Sequence, residues 1–194
     1  MSSVSHRSLI IATSDAWRYD YRMAQSALFA PWRMDYIHSL HKPGDEICFL
    51  CQAAKSATSE QERDRLVLWQ TDRTQVVMNR YPYTNGHILV APRAHKATLD
   101  LLDREEKLDL MEQTDKAVKL LKRAVSAQGF NIGINLGRCA GAGVPGHLHQ
   151  HVVPRWAGDV NFMSVVGNIQ IVPETLQKLY AELLLVLKKI DEPT

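Results

Sequence analysis

His147, His149 and His151 occupy alternate positions in the stretch His147-Leu148-His149-Gln150-His151-Val152-Val153-Pro154-Arg155-Trp156. Alternate residues of an extended strand share a face. The spacing therefore predicts three imidazoles side by side, with Leu148, Gln150 and Val152 on the opposite face. Ahead of them runs Gly137-Arg138-Cys139-Ala140-Gly141-Ala142-Gly143-Val144-Pro145-Gly146, a loop with four glycines. Backbone N–H groups in such a loop can converge on an anion. A neutral imidazole offers a nucleophilic lone pair and a protonated one offers a proton, so imidazoles beside an anion-binding loop suit phosphate chemistry. A single histidine would fit a core or metal-binding role; three at period two, with Pro154-Arg155 behind, favour the reactive reading.

Cys48-Phe49-Leu50-Cys51 is a second constellation. Alone, one Cys-x-x-Cys is open between a redox pair, half of a zinc site and chance. No thioredoxin-like βαβ pattern surrounds it, which lowers the redox reading. The third cysteine, Cys139, lies in the glycine loop without an obvious partner.

The chain has 194 residues, 45% hydrophobic and 23% charged, with a formal net charge of +2. These values fit one globular domain with a sizeable core. No basic cluster interleaved with aromatics stands out, so a nucleic-acid polymer is not an expected partner. Apolar runs such as Leu183-Leu184-Leu185-Val186-Leu187 are too short to span a bilayer, and Leu9-Ile10-Ile11-Ala12 is too brief for a secretory signal core. With three cysteines and no disulfide framework, a reducing, cytoplasmic setting is expected.

The elements that must position the histidines can be read from periodicity. Residues 1–45 form an N-terminal extension, partly packed through Leu28 to Ile37, with a short helix expected at Pro31. Residues 46–194 form the main domain. Ser59 to Arg65 is a solvated helical turn or loop. Leu66–Trp69 and Thr74–Asn79 read as strands joined at Thr71-Asp72-Arg73, followed by a strand over His87–Pro92. Asp103 with Glu106 resembles a capping box opening a long helix that carries Leu108, Met111, Val118, Leu121 and Val125 and ends at Gly129. Phe130 to Leu136 alternates, so Asn135 shares a polar face with the imidazoles. Pro173 opens a closing helix whose apolar stripe is Leu176, Leu179, Tyr180, Leu183 and Leu187. This order of elements predicts an α+β fold, a mainly antiparallel sheet with the long helix and the C-terminal helix packed on it.

The spacing His-x-His-x-His-x-x followed by Pro154-Arg155 resembles the signature of the histidine triad family of nucleotide hydrolases and transferases. Asn79, Gly86-His87-Ile88-Leu89-Val90, Pro92, Asn135 and the glycine loop fall in register with it, over roughly residues 46 to 156. Ala30-Pro31-Trp32-Arg33-x-x-Tyr36-Ile37, together with the Cys-x-x-Cys and the His-Leu-His-Gln-His-Val-Val-Pro-Arg-Trp stretch, is similar to the bacterial diadenosine tetraphosphate phosphorylase branch.

The resemblance implies that His149 is the nucleophile, forming a nucleotidyl-histidine, and that His151 assists the leaving oxygen, with His147 beside them. Asn135 and the N–H groups of Gly141, Ala142 and Gly143 would hold phosphate oxygens, and Asn79 the ribose. Trp156 is expected as a lid beside the phosphate site rather than a core aromatic. The zinc-binding members imply a structural zinc held by Cys48, Cys51, His95 and His147, and no organic cofactor. Inorganic phosphate as acceptor would give phosphorolysis of diadenosine tetraphosphate to ADP and ATP; water would give a hydrolase of dinucleoside polyphosphates or phosphoramidates. A nucleotide-binding scaffold without chemistry is the reading from another class. The family also implies a homodimer, with the long helix or the C-terminal segment at its interface. Gln150 departs from the usual apolar residue at its position, and a buried amide there needs hydrogen-bond partners.

Overall fold

The computed structural model describes residues 48–159 and 174–192. The expected N-terminal extension, the helix at Pro31, and Pro173 lie outside the described residues. Five strands form one antiparallel sheet in the order β1-β2-β3-β5-β4, with β1 at Val67–Gln70, β2 at Thr74–Met78, β3 at Ile88–Pro92, β4 at Gly129–Ile134 and β5 at Gln150–Arg155. Four helices accompany it among the described residues: α1 at Phe49–Ala54, α2 at Ser59–Asp64, α3 at Arg104–Ala124 and α4 at Leu176–Asp191. The α+β expectation holds.

β2 and β3 are buried along their whole length because both faces are covered. On one face Val76, Met78, Ile88, Val90 and Val152 meet Leu110, Ala117, Leu120 and Leu121 of α3 and Leu179, Leu183 and Leu187 of α4. On the other, Val67, Val77, Leu89 and Ala91 pack under Leu50 and Ala53 of α1. Full burial of one such leucine is worth about 1.5–3 kcal/mol, so α1, with two buried residues, has little apolar anchoring and is tied down as well by side chains that donate to its carbonyls, among them Gln70 to Ala53 and Arg93 to Ala54.

α3 opens with the expected capping box: Asp103 accepts from the Glu106 N–H at 2.8 Å and Glu106 accepts from the Asp103 N–H at 2.8 Å. It differs from expectation at two points. Leu108 and Met111 are 58% and 57% exposed, because the stripe that faces the sheet runs through Leu110, Thr114, Ala117 and Leu121. The helix also ends at Ala124, where Ser126 takes a left-handed φ of 51°, and Gly129 instead opens β4. α4 carries the expected stripe and is capped by Thr175, whose hydroxyl accepts from the Lys178 N–H. The stretch beginning at Ser59 resolves as the six-residue α2, capped by Thr58 and without a buried residue.

The histidine strand is shorter than expected, its ladder starting at Gln150 rather than His147. In the register of β3 with β5, Val90 faces Gln150. Two residues on stands Pro92, which has no N–H to give, and the ladder stops. Leu148 turns instead to Lys96, donating its N–H to the Lys96 carbonyl at 2.7 Å. Gln150 finds its partner on α3: its amide donates to Thr114 Oγ1 at 2.9 Å, and that hydroxyl donates to the Leu110 carbonyl at 2.7 Å. The buried amide is thereby satisfied by the long helix.

Candidate active site and metal cluster

The backbone decides which nitrogen of His147 and of His149 carries the proton. A carbonyl only accepts, so a ring nitrogen bonded to one must carry the proton. His149 Nδ1 lies 2.8 Å from the His147 carbonyl and therefore donates to it, which leaves Nε2 with a free lone pair. His147 is held the other way, its Nε2 donating to the Pro92 carbonyl at 2.8 Å, which frees Nδ1. Burial pushes both rings below their ordinary range, so the neutral forms are the ones present near neutral pH.

His151 is tied into a second chain of bonds that includes a residue to which the sequence reading gave no role, His87. The Tyr83 backbone N–H donates to His87 Nδ1 at 3.1 Å, so that nitrogen accepts and the proton sits on Nε2. That Nε2 lies 2.9 Å from His151 Nδ1 and donates to it. A neutral His151 then carries its own proton on Nε2, an atom shielded from solvent and without a hydrogen-bond partner among the described residues. Burial, reinforced by the neighbouring histidines, lowers His87 to about 3 and His151 to about 4. The ring of Tyr83 caps this end of the row, its centroid 4.6 Å from His87 and 5.7 Å from His151. The signal that could have flagged His87 is its place directly after Gly86, whose φ of 80° and closeness to Leu121 set the turn into β3.

The remaining expected ligand residues divide. Asn131, Gly133 and Asn135 project on the histidine side of the sheet, since Gly133 pairs directly with His151. The Asn135 amide lies against the glycine loop, where a Cβ added at Gly141 would stand 4.0 Å from Nδ2. Two of the three loop N–H groups are spent inside the loop: Gly141 donates to the Arg138 carbonyl at 2.9 Å and Ala142 to the Gly137 carbonyl at 3.2 Å. Only Gly143 remains of the expected trio, because residues 138–140 tighten into a 3₁₀ turn. Asn79 is engaged at both ends, with Oδ1 accepting from the Tyr81 N–H and Nδ2 3.1 Å from His87 Nδ1. It holds the loop under His87. The Trp156 indole N–H donates to the Val125 carbonyl at 3.0 Å, which ties the ring to the end of α3.

Cys48, Cys51, His95 and His147 come together, with one ligand atom from each lying within 4.8 Å of all the others. The free Nδ1 of His147 stands 3.3 Å from Cys48 Sγ and 3.5 Å from Cys51 Sγ, and His95 Nδ1 stands 3.1 Å from Cys51 Sγ. Two thiols and two imidazole lone pairs converging on one point are the donor set of a closed tetrahedral zinc site. Burial, with Cys48 beside it, holds the Cys51 thiol well above its ordinary range, a penalty that a cation between the sulfurs relieves. Gly146 makes room for this cluster, since a Cβ there would meet His95 Nε2 at 3.3 Å.

An antiparallel sheet backed by a long helix and carrying a row of histidines on the side away from that helix defines a histidine-triad domain. The HIT domain family model matches residues 60–158, and the chain belongs to that family. It is 34% identical over 172 residues, 86% of this chain and 88% of the other, to a protein of Mycobacterium tuberculosis named AP-4-A phosphorylase. It is also 34% identical over 100 residues, about half of each chain, to the asymmetrical bis(5'-nucleosyl)-tetraphosphatase of Schizosaccharomyces pombe. Both relatives are enzymes, and this chain, with its histidine row intact, is an enzyme of the same family. Among solved structures, a zinc-bound histidine triad family protein from Mycobacterium smegmatis shares the fold with a TM-score of 0.60 at 24% identity, covering 76% of this chain and 98% of its own.

Proposed function

We propose that this enzyme transfers a nucleotidyl group from a dinucleoside polyphosphate, diadenosine tetraphosphate in the first instance, to inorganic phosphate by way of an adenylyl-His149 intermediate. The observation that carries the reading is the tautomer of His149. Its Nδ1 proton is held by the His147 carbonyl, so the Nε2 lone pair is the free one and can attack phosphorus.

As the N–P bond forms, the bond to the departing polyphosphate oxygen breaks and its electron pair leaves with that oxygen. The Nε2–H of His151 is the donor available to stabilise it, and His87 keeps that proton on the correct nitrogen. The positive charge that develops on the His149 ring is relieved through Nδ1–H by the His147 carbonyl. A phosphate oxygen then displaces His149 and yields a nucleoside diphosphate, with the imidazole restored. Asn135 and the Gly143 N–H are proposed to hold the non-bridging oxygens.

Water as the second nucleophile is the alternative, favoured by the tetraphosphatase relative; the fuller coverage of the phosphorylase relative supports phosphate. Products separate them. Diadenosine tetraphosphate with phosphate should give ADP and ATP, and labelled phosphate should appear in the ADP. AMP and ATP formed at the same rate with or without phosphate would overturn phosphorolysis. A non-catalytic scaffold requires that no adduct form on His149.

The Cys48, Cys51, His95 and His147 set is proposed to hold a structural zinc, which would fix the chain that presents His149 and supply no reacting group. A homodimer is also proposed. β4 is an edge strand whose Ile132 is 47% exposed, Leu136 just beyond it is 45% exposed, and the exposed Leu108 and Met111 make α3 a second apolar surface. Sedimentation of the protein and of Ile132→Lys tests it. Among the described residues no helix is long and apolar enough to cross a membrane, and a cytoplasmic location is part of the same proposal.

A further inference from the structure

Gln75 sits in the middle of β2, fully buried, on the face that packs under α1. Its neighbours there are apolar, with Val77, Leu50 and Ala91 in the same cluster. Its Oε1 has no hydrogen-bond partner among the described residues, and such an orphaned acceptor costs about 1–3 kcal/mol. For packing alone an aliphatic side chain would serve this position better.

What the amide does have is two donor contacts. Nε2 reaches the Leu50 carbonyl at 2.9 Å and the Pro92 carbonyl at 3.4 Å. Leu50 lies between Cys48 and Cys51. Pro92 is the residue whose carbonyl accepts the His147 Nε2–H and so turns His147 Nδ1 towards the two sulfurs. One buried amide thus touches the backbone beneath both halves of the cluster, the cysteine pair at the N-cap and first turn of α1 and the histidine three residues ahead of β5. Gln70, Arg93 and Arg65 tie down the later carbonyls of α1, at Ala53, Ala54 and Gln52, whereas Gln75 takes the Leu50 carbonyl, which lies between the two cysteines.

We propose that Gln75 is a positioning residue for the Cys48, Cys51, His95 and His147 cluster, sacrificing packing stability to hold the cysteine-bearing chain and the His147 acceptor at one separation. The inference rests on the zinc reading above. Groups that orient metal ligands from outside are worth about 10–100-fold in metal affinity. The full chain carrying Gln75→Met keeps the volume and removes both contacts. It should bind zinc 10–100-fold more weakly in competition with a chromophoric chelator and show a shifted, weaker visible band with cobalt(II). Its metal-free form should melt no lower than the metal-free parent, since the unpartnered oxygen is gone.

Equal zinc affinity in Gln75→Met and parent overturns the role of Gln75 alone, whereas a parent that binds neither zinc nor cobalt overturns the metal reading and the inference together. Should the variant not fold, the parent still decides. On adding zinc to the metal-free protein, the Gln75 side-chain amide signals should shift and exchange more slowly with solvent, and signals that do not respond sink the proposal.

Discussion

The two ends of the histidine row are built from the same residue type on the same side of the sheet, yet they are fitted for different work. At one end His147 gives its Nε2 proton to Pro92 and turns Nδ1 towards Cys48, Cys51 and His95. At the other, His149 gives its Nδ1 proton to the backbone and leaves Nε2 free, while His151 keeps a proton on Nε2 because His87 occupies its Nδ1. The difference lies in which carbonyl or neighbouring ring each imidazole meets. The tautomer is assigned by the hydrogen-bond partner and not by the side chain, so a sequence pattern of three histidines underdetermines what each one does.

This contrast can be broken at either end. The largest effect is expected for His149→Ala, which should lose at least about 10⁴-fold in turnover and form no nucleotidyl adduct by mass spectrometry, while retaining the parent's zinc content. Turnover near the parent's would end the nucleophile assignment. His151→Ala should lose about a hundredfold, and less with a substrate whose leaving group is a good one without help. An equal loss with both substrates would place His151 in binding instead of departure.

At the cysteine end, where a structural zinc is proposed, a strong chelator or the Cys48→Ser, Cys51→Ser double variant should lower the melting temperature by on the order of 10 °C. Unchanged melting would mean that the four ligands are not joined by a metal.

The smallest effect sharpens the reactive end. Burial holds His87 at about 3 against an ordinary 6.5. Between those values the unfolded chain binds a proton that the folded chain refuses, so this stability is complete above about pH 6.5 and is lost as pH falls towards 3. His87→Phe should make urea midpoints fall less steeply between pH 6.5 and 4, and parallel curves would show that His87 is not buried neutral.

Much of this was legible from residue spacing. The triad, the α3 capping box and strands β1 to β3 carry their periodicity or chemistry locally, and the Cys48, Cys51, His95 and His147 set follows from the family pattern. The rest depends on contacts between distant segments. His87 gains meaning only when β3 pairs with β5 and brings it against His151. Gln75 looks like one polar residue in an apolar strand until Leu50 and Pro92 flank it. Leu108 and Met111 fit a helical period as well as Leu110 and Thr114 do, and only the position of the sheet chooses between them. α1 is too short to show a period, and the two loop N–H groups were consumed by a turn that composition does not announce.

The Gln150–Thr114–Leu110 chain makes the reactive strand a tenant of the long helix's second and third turns. Local opening of that helix must expose an amide and a hydroxyl that have no other partner inside, so the two segments are expected to open as one cooperative unit. In hydrogen exchange the amides around residues 110–118 and those of 150–153 would then share a common protection factor.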